Sequence, residues 1–256
     1  MDIHILGAHN SESVDNSCVT FVVDDKLAVE AGGLTSHLSA RQQRNIDAVI
    51  LTHHHMDHIR DIPGMAFSFF AAGASLDIYA PAAVNEVIQT HFLNKMIYPE
   101  FQKIPAKKPT VNFLAIEPYS QQRINGFTIL PLPVCHPASS VGYQISDKQG
   151  KVVFYTGDTG PDLADCWRRV SPQLLIIEVT MPDKFQDFAV KTGHLTPHLL
   201  EHELKSFRDI KGYLPQVVAI HLDASQEPEI REELAAVAAN LPASITIAHE
   251  GMHLYI

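Results

Sequence analysis

Four histidines and an aspartate fall within six positions of the segment DAVILTHHHMDHIRDIPG, residues 47–64: His53, His54, His55, Asp57 and His58. Imidazole and carboxylate are donors that Zn, Fe and Mn all accept. The run ahead of them, AVIL, is apolar and β-branched and predicts a strand, whose pleat sends alternate side chains to opposite faces. His53 and His55 then share a face while His54 points away. Asp57 and His58 follow at the start of a helix, where they can turn toward a second, neighbouring point. The spacing H-x-H-x-D-H therefore offers two metal positions side by side, one rich in nitrogen and one mixed.

Two ions need more ligands than this segment carries. His136 in PVCHPASS, Asp158 in FYTGDTG and His221 in VVAIHLD each stand just past an apolar, strand-like run, where a loop leaves a sheet edge. On this reading His53, His55 and His136 hold one ion, Asp57, His58 and His221 hold the other, and Asp158 bridges them. Cys135 points away from its neighbour His136 and packs. His4, His9, His37, His91, His198, His202, His249 and His253 have no comparable grouping and read as structural or exposed.

The elements that must position these groups are short. Strand-like runs recur from DIHILGA at the start to SITIAHEGMHLYI at the end, the latter read as a terminal strand hairpin. Hairpin-like turns lie at Asp24-Asp25 and Lys148-Gln149-Gly150. Helical patterns cover roughly 61–72, 81–95, 161–170, 197–207 and 227–239. Patterning alone establishes an α/β fold with two sheets, and an αββα sandwich suits it. With no repeat, low-complexity tract or long linker, residues 1–256 read as a single domain. The composition, 46% hydrophobic and 19% charged, is that of a soluble globular protein, and the net charge of −10 argues against a broad nucleic-acid surface. Three scattered cysteines without a CxxC pair exclude a disulfide framework. The first residues lack a secretory pattern, and the longest apolar block, MAFSFFAAGASL, is too short to span a bilayer, so a cytoplasmic protein with no membrane partner is expected.

THHHMDH, CHPASSVGYQI, YTGDTGP, IIEVT, GHLTP and AIHL, in this order, resemble the metallo-β-lactamase superfamily, essentially from end to end. The resemblance is closest to the branch of class II cyclic-nucleotide phosphodiesterases, with ribonuclease Z a near relative. It implies a metallo-β-lactamase sandwich, two mixed sheets flanked by helices, with a dinuclear site at one sheet edge. It also implies His53, His55, Asp57, His58, His136, Asp158 and His221 as ligands, and pairing of two chains as a homodimer. The strand that ends in Asp-Ala-Gly across much of the superfamily ends here as VEAG, with Glu30. Asp223, in HLDA, stands where that branch carries a lysine able to meet a phosphate, and Tyr98 replaces a tryptophan.

Two divalent ions, Zn first and Fe or Mn accepted by the same donors, would hold a bridging hydroxide and clamp both oxygens of an in-line phosphoryl displacement. Asp57 is counted with the catalytic groups as well as the ligands. His194 is the candidate proton donor to the leaving oxygen, with Glu178 on its other nitrogen; the resemblance to ribonuclease Z implies the same pair. The expected activity is a metal-dependent phosphoric diester hydrolase acting on a small cyclic nucleotide and releasing a 5′-monophosphate. A β-lactam hydrolase of the commonest type would place Cys at 158, and a flavodiiron reductase Glu at 55. The pre-tRNA reading needs a gripping arm between His136 and Asp158, where only residues 137–157 lie, 21 positions. A di-metal sensor without turnover is the alternative from another class. The segment 91–109, with Phe92, Tyr98, Phe101, Lys103, Lys107 and Lys108, is the candidate lid.

Overall fold

A computed structural model describes all 256 residues. The first sheet has strand order β14-β1-β2-β3-β4-β5-β6, built from β1 (Asp2–Gly7), β2 (Thr20–Val23), β3 (Leu27–Val29), β4 (Ala48–Ile50), β5 (Leu76–Ala80), β6 (Val111–Ala115) and β14 (His253–Tyr255). The second runs β13-β12-β11-β10-β9-β8-β7, from β7 (Gln122–Ile124), β8 (Phe127–Pro133), β9 (Val141–Ser146), β10 (Val152–Tyr155), β11 (Leu174–Glu178), β12 (Gln216–Ile220) and β13 (Ile245–Ile247). Each sheet is antiparallel on one side and parallel on the other, with the parallel pairs running β3 to β6 and β10 to β13.

Both faces of each sheet are covered, so the strands read as continuous apolar runs whose alternation is between two cores rather than between core and water. In β11, Leu174 and Ile176 face the core between the sheets while Leu175 and Ile177 face the outer helices. In β2, Phe21 and Val23 face inward and Val22 outward. The first sheet is covered by α1 (Leu34–His37), α2 (Ala40–Gln43), α3 (Met56–Ile59), α4 (Ile62–Ala71) and α5 (Ala82–His91). Over the second lie α6 (Ala164–Arg169), α8 (Pro197–Lys211) and α9 (Glu227–Asn240), with α7 (Gln186–Thr192) preceding α8 in the chain. This is the αββα sandwich that the motifs imply. No helix is long and apolar enough to cross a membrane.

Three expectations change. The terminal segment is not a hairpin: β13 pairs with β12 in the second sheet and β14 with β1 in the first. The turn between them, with Gly251 at φ 79° and its N–H donated to Ile5 O, carries the chain across the sandwich. The helix expected over 81–95 stops at His91, because the Asn94 carboxamide accepts the N–H groups of Met96 and Ile97 and Lys95 adopts φ 69°. The aromatic residues of the candidate lid are anchored: Phe101 is 1% exposed and packs 5.3 Å from the Phe70 ring, and Tyr98 and Phe92 lie against the same outer core. What that segment presents to solvent includes Met96, Ile97 and the lysines Lys103, Lys107 and Lys108.

Candidate metal centre

The parallel strands end at one edge of the sandwich, and every predicted ligand emerges there. Carboxyl ends of parallel strands are where open α/β sheets leave room for ligands, because the chain must turn out of the sheet before its return helix. His53, His54 and His55 lie beyond the last paired residue of β4, so it is extended loop rather than strand pleat that sets their alternation. The outcome is the one expected: the His53 and His55 rings sit 4.6 Å apart, and Asp57 and His58 open α3. His136 follows β8, Asp158 follows β10 and His221 follows β12.

These positions converge as two groups sharing one carboxylate. In the first, one donor atom each from His53, His55, His136 and Asp158 lies within 4.8 Å of the others; in the second, the same holds for Asp57, His58, Asp158 and His221. His136 Nε2 is 3.2 Å from His55 Nδ1, and His53 Nε2 is 3.6 Å from Asp158 Oδ2. On the other side His221 Nε2 is 3.1 Å from Asp57 Oδ2 and His58 Nε2 is 3.2 Å from Asp158 Oδ1.

The residues fit a cation, and the test is hydrogen bonding. His53 Nε2, His58 Nε2 and Asp158 Oδ1 are fully buried and have no hydrogen-bond partner, the last two despite lying 3.2 Å apart. An unsatisfied buried polar atom costs about 1–3 kcal/mol, and cations held in the two groups would satisfy all three. Burial and neighbouring charges shift these groups in opposite directions. Burial pushes His53 well below the ordinary imidazole value, with His58 beside it adding to the effect. His55 and His136 are lowered as well, by burial first. Burial would also lower His58, but Asp158, Glu30 and Asp57 outweigh it and hold that ring well above. Burial would raise the carboxyls of Asp57 and Asp158, yet the facing histidines keep both below their usual range.

Hydrogen bonds on the far nitrogens orient these rings, as metal-binding imidazoles require. His136 Nδ1–H donates to Gly193 O at 2.9 Å, which leaves Nε2 for the centre. Gly193 is at φ 75°, and a Cβ there would lie 2.6 Å from Pro137 Cδ. Thr52 Oγ1 donates to Glu30 Oε1 at 2.5 Å and lies 3.0 Å from His53 Nδ1. Glu30, fully buried, also sits 3.2 Å from His58 Nδ1. Tyr143, from the second sheet, donates to Leu51 O and ties the start of the histidine segment to β9.

Glu178 falls on the inward face of β11 by the same parity as Leu174 and Ile176, and is fully buried. Its Oε1 accepts from His194 Nδ1 at 2.7 Å and Thr159 N at 3.1 Å, and its Oε2 from Thr180 Oγ1 and Leu195 N. Burial would lower His194, but Glu178 outweighs it and holds the ring at about 9. The His194 ring stacks 5.6 Å from that of His221, which places the candidate donor beside the candidate ligands. Asp223, by contrast, turns into its own loop: Oδ1 accepts from the Ser225 N–H and hydroxyl.

Glu30 was visible as a departure but carried no role, and Thr52 and Thr180 carried no signal, since a threonine beside a motif residue is commonplace. Several histidines read as ungrouped do have partners. His9 is buried between Glu250 and Glu227, His198 and His202 bring Nε2 atoms to 3.1 Å, and His4 stacks on His253.

The signature of the beta-lactamase superfamily domain matches residues 28–222. A 3′,5′-cyclic-nucleotide phosphodiesterase of Aliivibrio fischeri is 27% identical over 186 residues, 65% of this chain and 55% of that protein. A ribonuclease Z of Listeria monocytogenes is 29% identical over 130 residues, 47% of this chain and 39% of that protein. These alignments thus reach only about half, or less, of the relatives' own length. Among solved structures, unliganded yeast PDE1 superposes with a TM-score of 0.85 at 18% identity, covering 100% of this chain and 99% of that one.

Proposed function

Because the chain belongs to the beta-lactamase superfamily, we propose that it is a dinuclear metal-dependent phosphodiesterase, with 3′,5′-cyclic nucleotides as its first substrate class. The observation that carries this is the pair of ligand groups sharing Asp158, with the His194–Glu178 pair alongside. His53, His55 and His136 would hold one ion and Asp57, His58 and His221 the other. Zn is the ion we expect, and Fe or Mn accept the same donors. Two such ions would supply an activated water and charge stabilisation for the phosphoryl oxygens.

The protein's own groups do the rest. Asp57, whose side chain keeps 24% of its surface exposed, can accept a hydrogen bond from the attacking water. His194, charged and held through Nδ1 by Glu178, has Nε2 left to protonate the departing 3′ oxygen, which yields a 5′-monophosphate. A cleft of about 480 Å³ opens beside His136, walled by Pro81, Ile116, Pro133 and Val141 and carrying Glu117, Ser139 and Ser140 as further polar groups. No lysine or arginine lines it, which suits a neutral ring on the substrate better than a second phosphate. The reading takes residues 1–256 as one domain, supported by a central core that draws on both sheets from Ile3 to Leu254. The expected homodimer rests on the resemblance alone.

Pre-tRNA is the competing substrate, and it rests on the similarity to ribonuclease Z. Against it, residues 137–157 hold a short loop, β9, a turn and β10, with no arm, and the net charge of −10 weakens capture of a phosphate backbone. The test is a screen of metal-loaded protein against cyclic AMP, cyclic GMP, a linear dinucleotide and a pre-tRNA. Cyclic nucleotides should be opened fastest. Cleavage of pre-tRNA alone would transfer the reading to RNA processing, and two bound ions without hydrolysis of any of them would point to a sensor.

A further inference from the structure

We propose that Thr180 is a positioning residue that fixes the tautomer of His221 and links that ligand to the His194–Glu178 pair; the proposal rests on the dinuclear reading of the site. The Thr180 hydroxyl lies 2.7 Å from Glu178 Oε2 and 2.8 Å from His221 Nδ1. A hydroxyl has one proton, and a carboxylate can only accept. Thr180 Oγ1 therefore donates to Glu178 and receives the hydrogen bond from His221 Nδ1–H. With Nδ1–H engaged in this way, Nε2, the atom 3.1 Å from Asp57 and 3.4 Å from Asp158, is the nitrogen that would offer its lone pair to a cation. The same hydroxyl lies 3.3 Å from His194 Nδ1, so one oxygen touches the carboxylate, the proton donor and a ligand.

The backbone holds this arrangement on three sides. Thr180 N donates to Leu195 O, Asp223 N donates to Thr180 O, and His221 N donates to Ala8 O at 2.7 Å. His221 itself adopts φ 66°, the left-handed region that a β-substituted residue enters only when its surroundings impose it. The first sheet contains the same device: buried Glu30 accepts from Thr52, whose hydroxyl meets His53 Nδ1. Each sheet thus ends in a glutamate, a threonine and a ligand histidine in series. Orienting hydrogen bonds of this kind govern metal affinity, and losing one typically weakens binding by about 10–100-fold.

The test compares Thr180→Val, which keeps the shape and removes the hydroxyl, with Thr180→Ser, which keeps the hydroxyl. In chelator competition with Zn, Thr180→Val should weaken one of two ions by about 10–100-fold and leave the other at wild-type affinity, and Thr180→Ser should restore it. Long-range ¹⁵N–¹H spectra of the Zn-loaded wild-type protein should show His221 protonated on Nδ1, with Nε2 free of a proton. Two ions bound by Thr180→Val as tightly as by wild type, equal loss in the Ser variant, or a His221 ring protonated on Nε2 alone would each overturn the proposal. A wild-type protein that takes up no metal would instead remove the dinuclear reading and this proposal with it.

Discussion

His9 and the His53–His58 centre are both buried histidine sites at strand ends, and they differ in where their ring nitrogens point. His9 is 4% exposed, with Nδ1 2.9 Å from Glu250 Oε1 and Nε2 3.3 Å from Glu227 Oε2. Both of its nitrogens meet carboxylates, and Glu250 also accepts the Ser17 N–H at 3.0 Å. In the centre, His53 Nε2 and His58 Nε2 are as deeply buried and have no hydrogen-bond partner. Burial of histidine is therefore no guide to ligation by itself. His9 closes its contacts with two carboxylates, whereas the centre gathers several rings and carboxylates against one another and leaves buried nitrogens without a hydrogen-bond partner.

The strongest way to break that contrast is to remove the group the two ion positions share. Asp158→Ala should take turnover of bis(p-nitrophenyl) phosphate down by at least about 10³-fold, since both positions lose a ligand and their spacing. Metal analysis should find no more than one ion per chain. Two retained ions with unimpaired turnover would mean the centre has been placed wrongly. His194→Ala should cost about 10²–10⁴ in kcat, the usual contribution of a positioned proton donor, with metal content unchanged. Loss of rate and metal in equal measure would make His194 part of the metal scaffold instead.

Much of this centre is legible in the sequence because its chemistry is local. H-x-H-x-D-H puts four candidate ligands within one loop and one helical turn, and no tertiary register is needed to see them. His136, Asp158 and His221 could be found because each follows an apolar run that had to be a strand. The His9 strut is different. Its partners lie 218 and 241 positions away, and only the crossing of the terminal turn from one sheet to the other brings Glu250 to it. That crossing was invisible, since an alternating run such as SITIAHEGMHLYI does not reveal that its halves belong to opposite sheets. Thr52 and Thr180 were missed for a related reason: their role lies in which atoms their hydroxyls reach, not in spacing. The aromatic residues of 91–109 misled in the other direction, because Phe101 and Tyr98 serve the outer core of the first sheet.

The two sites should also separate in their response to chelation. Metal bound to the folded chain alone stabilises it by about 4 kcal/mol at a thousandfold excess over the dissociation constant. Stripping the ions should lower the Tm by several degrees in wild type and by the same increment in His9→Gln, because the strut lies outside the centre. A His9→Gln protein whose Tm no longer responds to metal would show that the two sites are one unit.

The smallest effect concerns pH and the strut itself. The groups facing His9 are Glu250 and Glu227, and Glu227 is in turn paired with Arg231. Burial would raise the Glu250 carboxyl, but His9 and the Ser17 N–H pull it down to about 2. Burial would lower His9, but the two glutamates outweigh it and raise that ring above its ordinary value of 6.5. A lowered carboxylate stabilises the fold above its unfolded value of 4.5, and that contribution is lost as pH falls through about 2. A raised imidazole stabilises the fold below 6.5, and that contribution is lost as pH rises through the folded value. Between pH 4.5 and 6.5 both contributions act together. Partial exposure of both glutamates screens the pair, so its worth is on the order of 1 kcal/mol. The stability deficit of metal-free His9→Gln against metal-free wild type, from denaturant midpoints across pH, should peak in that window and shrink on either side. Subtracting the two proteins cancels the titration of the metal ligands, which they share. A deficit that stays flat from pH 4 to 9 would mean that His9 packs as a neutral ring and that its carboxylate partners contribute shape rather than charge.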